Sequence, residues 1–164
     1  MDIFTIQIMA NRGSEWRKWD LHVHTKGTNK NDQSSSNSTE SFFELFFKKA
    51  VVNDISAIGI TDYFTIDNYL KAKLYVSLIE TKVNDLGEKL FNVSEIDFIK
   101  NIFIFPNVEL RMMPSTGIEK LINIHCIFNP DYVTELDNDF FNEIGNQDRY
   151  KMNRAGFISY GKSL

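Results

Sequence analysis

Trp16-Arg17-Lys18-Trp19-Asp20-Leu21-His22-Val23-His24-Thr25 is the stretch on which the reading of this fold turns. It reads as a strand, and on a strand residues two apart share a face. Asp20, His22 and His24 then project one way, and Leu21 and Val23 the other. The apolar face can hold the strand in a core. Next comes a run from Lys26 to Thr39 without apolar residues and crowded with Asn, Ser and Thr, which reads as a mobile polar loop over residues 26–39. Asn37 with Glu40 and Ser41 with Glu44 form two overlapping cap signatures, the Ser41 pair the stronger because it leads into the apolar run. Behind them Phe42, Phe43, Phe46, Phe47, Ala50 and Val51 recur at helical spacing, with Glu44, Lys48 and Lys49 on the other side, and the helix is predicted to end near Asn53. Ile55 to Ile60 follows as a short buried strand leading to Thr61-Asp62-Tyr63-Phe64. Strand, helix and strand in this order predict a βαβ unit with a right-handed crossover, and hence an α/β protein.

Upstream, Phe4, Ile6 and Ile8 alternate with polar residues, the period of a half-buried strand, and Asn11 to Ser14 reads as a turn. Downstream, helices are predicted from Ile66 to about Asn84 and from Val93 to Asn101. A strand from Ile102 to Leu110, interrupted by Pro106, and another from Leu121 to Phe128 flank the turn residues Met113 to Gly117. The connection is too short for a helical crossover, so a hairpin is expected. Asp131 to Ile144 reads as a helix.

The chain has 164 residues, 43% of them apolar and 14 of them Phe, enough for one core and against global disorder. It reads as one domain over residues 1–164. Because its last dozen residues show neither a cap nor a closing strand, the chain is expected to be truncated. No apolar run is long enough to span a membrane, and no basic amino-terminal leader is apparent. The lone cysteine excludes an internal disulfide and a multi-cysteine zinc cage and fits a reducing cytoplasm. A net charge of -4 argues against a dedicated nucleic-acid coat.

The three histidines, at positions 22, 24 and 125, all fall at or near predicted strand ends. At a rise of ~3.3 Å per residue, the bases of His22 and His24 stand ~6.6 Å apart. Metal–nitrogen bonds of ~2.0–2.1 Å let such a pair converge on one ion. Two polar residues ending a strand are the plainer reading. His125 shares a face with Asn123, and a lone strand histidine is more often a satisfied core residue than a ligand. Cys126 points to the opposite face and reads as a small buried hydrophobe. Asp62 closes a strand at its C-terminal end, where α/β folds place ligand-binding groups. Glu109 lies between apolar neighbours, where a carboxylate is costly to bury without a cation or donors; a salt bridge with Arg111 on the same face is the alternative. Five metal-capable side chains at the ends of four strands carry the functional reading.

In this order the residues resemble the polymerase-and-histidinol-phosphatase (PHP) family of metal-dependent phosphoesterases. The match consists of Asp20-Leu21-His22-Val23-His24-Thr25, Ile60-Thr61-Asp62, Asn107-Val108-Glu109, and His125 on the hairpin strand. The lead-in Gly13-Ser14-Glu15-Trp16-Arg17-Lys18-Trp19 resembles the start of bacterial proteins that fuse a PHP domain to an AAA or SMC-like ATPase. The resemblance implies a distorted (β/α)7 barrel, incomplete here, with one to three divalent ions (zinc, manganese or iron) at the C-terminal mouth of its strands. It implies His22, His24, Glu109 and His125 as metal ligands, with Asp62 at the metal or nearer to orienting, so that His22, His24 and Asp62 form the catalytic group. Tyr63 stands where the family's Thr-Asp-His motif has histidine, a poorer ligand. Asp32 is the nearest candidate for the acidic ligand that follows the first pair, and the later motifs of a full barrel have no counterpart before Leu164.

Clustered divalent ions lower the pKa of bound water from ~15.7 towards ~7 and neutralise charge on phosphate oxygens. That chemistry suits phosphoester hydrolysis, and the resemblance to the ATPase-fused branch implies a nucleic-acid phosphodiester, most of all DNA in repair or defence, as the substrate, with Lys26, Arg111 and Tyr63 as candidate substrate contacts. An ATPase domain or subunit is the expected partner, a homo-oligomer is compatible, and the setting is cytoplasmic. A small-molecule phosphomonoesterase, or a degenerate module that binds metal or a partner without turnover, is the alternative.

Overall fold

A computed structural model describes residues 16–28, 32, 34–112 and 122–143, with only the backbone of 111 and 112. The expected strand at 3–8, the turns at 11–14 and 113–117 and the side chain of Arg111 lie outside the described residues. Within them the protein is mixed α/β, a curled four-stranded sheet with four α-helices.

The strands are β1 (Lys18–His24), β2 (Ile55–Tyr63), β3 (Phe103–Met112) and β4 (Ile122–Ile127), in spatial order β1-β2-β3-β4. The first three are parallel and β4 returns antiparallel to β3, as the short connection requires. Pro106 does not interrupt β3. Its carbonyl accepts from the Phe128 amide at 3.1 Å, so its proton-less nitrogen faces the same side, just past the last β4 residue, Ile127. The proline removes no bond from the β2 ladder and instead marks where β4 stops.

Helix α1 (Thr39–Val52) starts at Ser38, whose hydroxyl accepts from the Ser41 amide at 3.0 Å while the Ser38 amide donates to the Ser41 hydroxyl. Neither predicted cap pair is used, because both glutamates are engaged elsewhere. Glu40 pairs with Lys82 at 2.9 Å and Glu44 with Lys48 at 2.7 Å. Helix α2 (Asp67–Ser77) is shorter than predicted and passes into a 3-10 turn at Ile79–Thr81. The Ser77 and Thr81 hydroxyls donate to the Leu74 and Leu78 carbonyls, a local competition that favours helix ends. Helix α3 (Val93–Lys100) carries the Asn92/Glu95 capping box. The helix predicted over 131–144 is instead a 3-10 segment, Pro130–Glu135, followed by one turn of α4 (Leu136–Asp139).

The core sits between these helices and one face of the sheet. Phe43, Phe47 and Ala50 of α1 pack with Tyr75 of α2, Ile99 of α3 and the sheet residues Ile58, Ile60 and Ile104. Phe47 and Tyr75 stack with ring centroids 5.7 Å apart, and truncating so enclosed a phenyl ring costs about 3–5 kcal/mol. A second cluster, Val108, Leu110, Leu136 and Phe141, takes Cys126 at its edge. Burial raises the pKa of that half-buried thiol. Because Leu21 is 42% exposed, only Val23 serves the core-facing role expected of the pair. The described residues contain no helix long and apolar enough to cross a membrane.

Candidate metal centre

The register of the sheet decides which polar side chains meet. Tyr63 is level with Glu109 across β2 and β3, and Glu109 is level with His125 across β3 and β4. His24 is level with Thr61 across β1 and β2. All of these residues lie toward the C-terminal ends of the parallel strands, on one face.

A register irregularity in β1 between Asp20 and Val23 sets the aim of the histidines. It breaks the simple alternation, leaves Asp20 exposed and turns the Leu21 carbonyl over Gly59. A methyl group at position 59 would lie 2.3 Å from that oxygen, so only glycine fits beneath it. The Asn107 amide donates to the same carbonyl at 2.9 Å.

The result is a compact ligand set. His22 Nε2 and His24 Nε2 stand 3.0 Å apart. Glu109 Oε2 lies 3.4 Å from His24 Nε2 and 3.6 Å from His22 Nε2. Two atoms bound at ~2.0–2.1 Å in a tetrahedral shell stand ~3.3–3.4 Å apart, so the three separations are those of one face of such a shell. His22, His24 and Glu109 thus form a possible metal-binding triad.

Neighbouring groups fix which ring atoms are available. His24 Nδ1 faces the Thr61 carbonyl at 3.2 Å; a carbonyl only accepts, so Nδ1 carries the proton and Nε2 offers its lone pair. The Asn107 amide, oriented by its bond to Leu21, presents Oδ1 to His125 Nδ1 at 3.2 Å, which assigns that ring the same tautomer. Glu109, only 1% exposed, accepts from Asn123 Nδ2 at 2.7 Å. Such outer partners hold ligands in orientation and raise their basicity.

His125 joins the group without entering the tight triad. Its ring packs on His22 with centroids 4.4 Å apart. Tyr63, buried, stacks on His24 at 5.1 Å and 12°, and the next residue, Phe64, has φ +59, an uncommon conformation for a bulky side chain. Asp62 is not brought to the group. It lies in the alternate register, level with Val108, and its two oxygens accept from the Asn68 amide at 2.8 Å and the Asn68 side chain at 2.6 Å. Burial raises its pKa despite those bonds. The reason is the strand period: residues 61 and 63 face the histidines, and 62 faces α2.

A cavity of about 700 Å³ opens over the triad, lined also by Thr25, Asp32, Ser34, Ser35, Ser36 and Lys49. Asp32 accepts from the Gly27 and Ser34 amides at 2.9 and 3.2 Å, which holds its carboxyl below the ordinary range, with a smaller contribution from Lys26. It lines the cavity but lies outside the triad. Lys26 is half-buried in the turn after β1, and among the described residues the cation that lines the cavity is Lys49. Lys49, Asn107 and Asn123 are the groups the sequence did not single out. Asn107 and Asn123 were legible as strand neighbours of Glu109 and His125, whereas the helical pattern assigned Lys49 to a solvent face.

Fold and site together define a mixed α/β protein with a candidate metal centre at the carboxyl ends of parallel strands. No family model, curated protein or solved structure matches the chain.

Proposed function

We propose that the protein is a metal-dependent phosphoester hydrolase acting on a nucleic-acid phosphodiester, of the PHP type and from a PHP–ATPase system. The observation that carries this reading is the convergence of His22 Nε2, His24 Nε2 and the Glu109 carboxylate within 4.8 Å of one another. Two imidazoles and one carboxylate suit zinc, manganese or iron. A divalent ion held there supplies Lewis acidity toward a phosphoryl oxygen and a more acidic water.

The chain's own residues account for the remainder. His22, His24 and Glu109 bind the cation, and His125 offers a further Nε2 lone pair beside them. Asn107, Asn123 and the Thr61 carbonyl hold those ligands in orientation. Lys49 and the serines at 34–36 face the same cavity and suit an anionic group. In the net reaction a P–O bond forms to the water oxygen, the P–O bond to the leaving alcohol breaks, and a proton passes from the water to that alcohol. Asp62 acts through position alone, fixing the start of α2 directly after β2.

Manganese-dependent cleavage of a labelled oligonucleotide, lost in His22→Ala, is the test. Metal uptake with every phosphoester left intact refutes hydrolysis. It favours a second reading, a metal-binding module without turnover, which the stacking of Tyr63 on His24 supports because a phenol there replaces a better ligand.

A further inference from the structure

Helix α1 presents the cavity with a wall that metal binding does not use. Phe42, Leu45, Phe46 and Lys49 follow at helical spacing, and all four line the cavity that holds the triad. The Phe42 and Phe46 rings stack at 5.6 Å and 15°. Leu45 is 54% exposed, so this apolar strip stays open to solvent, and it ends in the exposed Lys49. Thr25, 2% exposed, lines the same space, and its hydroxyl has no hydrogen-bond partner among the described residues.

Resting on the phosphoesterase reading above, we propose that this strip takes the flat face of a nucleobase whose own phosphate reaches the His22–His24–Glu109 group, with Lys49 neutralising phosphate charge. A simple phosphate needs only the cation and Lys49, and it leaves uncovered Leu45 and the parts of Phe42 and Phe46 that do not pack on the core. A planar base covers them. Stacking of a base on aromatic side chains is worth about 5- to 150-fold in affinity and tolerates any base. A cavity of about 700 Å³ is of single-ligand size. In an intact duplex the faces of the bases are covered by their neighbours, so the occupant is an unpaired nucleotide, either free or at the end of a strand.

The test uses the full chain loaded with Mn²⁺, titrated calorimetrically with inorganic phosphate and with thymidine 5′-monophosphate. The nucleotide is expected to bind at least 5-fold more tightly. Leu45→Asn, a neutral polar change at an exposed position, should reduce that advantage while phosphate affinity and bound manganese stay unchanged. Lys49→Ala should weaken both ligands. Equal affinity for the two ligands, or an advantage that Leu45→Asn leaves unchanged, overturns the inference and leaves the reading of the centre intact. Manganese-loaded protein that binds neither ligand and hydrolyses no phosphoester overturns both. A single-stranded oligonucleotide that displaces the nucleotide at lower concentration identifies a strand end, and failure to displace it identifies free nucleotide; either supports the strip as a base site. A blunt duplex that competes equally well with the single strand overturns it.

Discussion

Gly59→Ala tests the origin of the metal centre without touching a ligand. The new methyl group would lie 2.3 Å from the Leu21 oxygen, 2.9 Å from the Leu21 carbonyl carbon and 2.8 Å from a ring carbon of Phe105. Phe105 can turn away, but Leu21 contributes backbone and must move by about 1 Å to regain ordinary contact. Leu21 immediately precedes His22, so the displacement passes to the ligand pair. A metal shell tolerates deviations of only ~0.2 Å. Zinc affinity, measured by competition with a chromogenic chelator, is therefore expected to fall at least 10-fold. Overpacking of this kind also costs about 1–3 kcal/mol, and each kcal/mol lowers Tm by ~2–4 °C in a chain of this size. Gly87→Ala is the control. Its φ of +79 makes a side chain unfavourable, but nothing lies within 4 Å of the added carbon, so it should lower Tm while zinc affinity holds. Wild-type zinc affinity in folded Gly59→Ala would refute the claim that the close approach of β1 aims the histidines.

Glu109→Ala is expected to lower bound metal, read by elemental analysis, in a protein that remains folded; unchanged metal content removes Glu109 from the site. Asn107→Ala strips donors and acceptors from Leu21 and His125 at once, and loss of such an outer partner should weaken metal binding by ~10- to 100-fold. Asp62→Asn should leave metal content unchanged. Because burial raises the Asp62 pKa, the folded state holds that proton more tightly than the unfolded chain, and stability falls as the pH rises from the unfolded value through the folded one. The wild type should thus lose stability relative to Asp62→Asn across that window in thermal melts, and parallel pH profiles would contradict the assignment. Ser38→Ala should cost about 1 kcal/mol through loss of the α1 cap, while Asn37→Ala leaves Tm within error.

The sheet and the helices behind it were largely legible because they rest on local chemistry. Phe43, Phe47 and Ala50 repeat at helical spacing, Ile55, Ala57, Ile58 and Ile60 crowd a short apolar strand, and a short connection brings β4 back against β3. Boundaries failed where side chains had competing partners. Glu40 and Glu44 look like capping residues until Lys82 and Lys48 are seen to hold them. The 3-10 segment at Pro130–Glu135 replaced a predicted helix, with the Asn129 side chain accepting from the Asp131 amide at its start.

The site divides in the same way. The sequence by itself determined which residue types are present and that His22 with His24, Glu109 and His125 stand at or near the ends of three strands, since alternation and residue chemistry are properties of a few neighbours. Only the tertiary structure decided that three of them converge within bonding reach of one cation, that Asp62 turns to Asn68 instead, and that Lys49 faces the cavity. Those outcomes depend on the register between distant strands and on one irregularity in β1, and neither is written in any short stretch of chain.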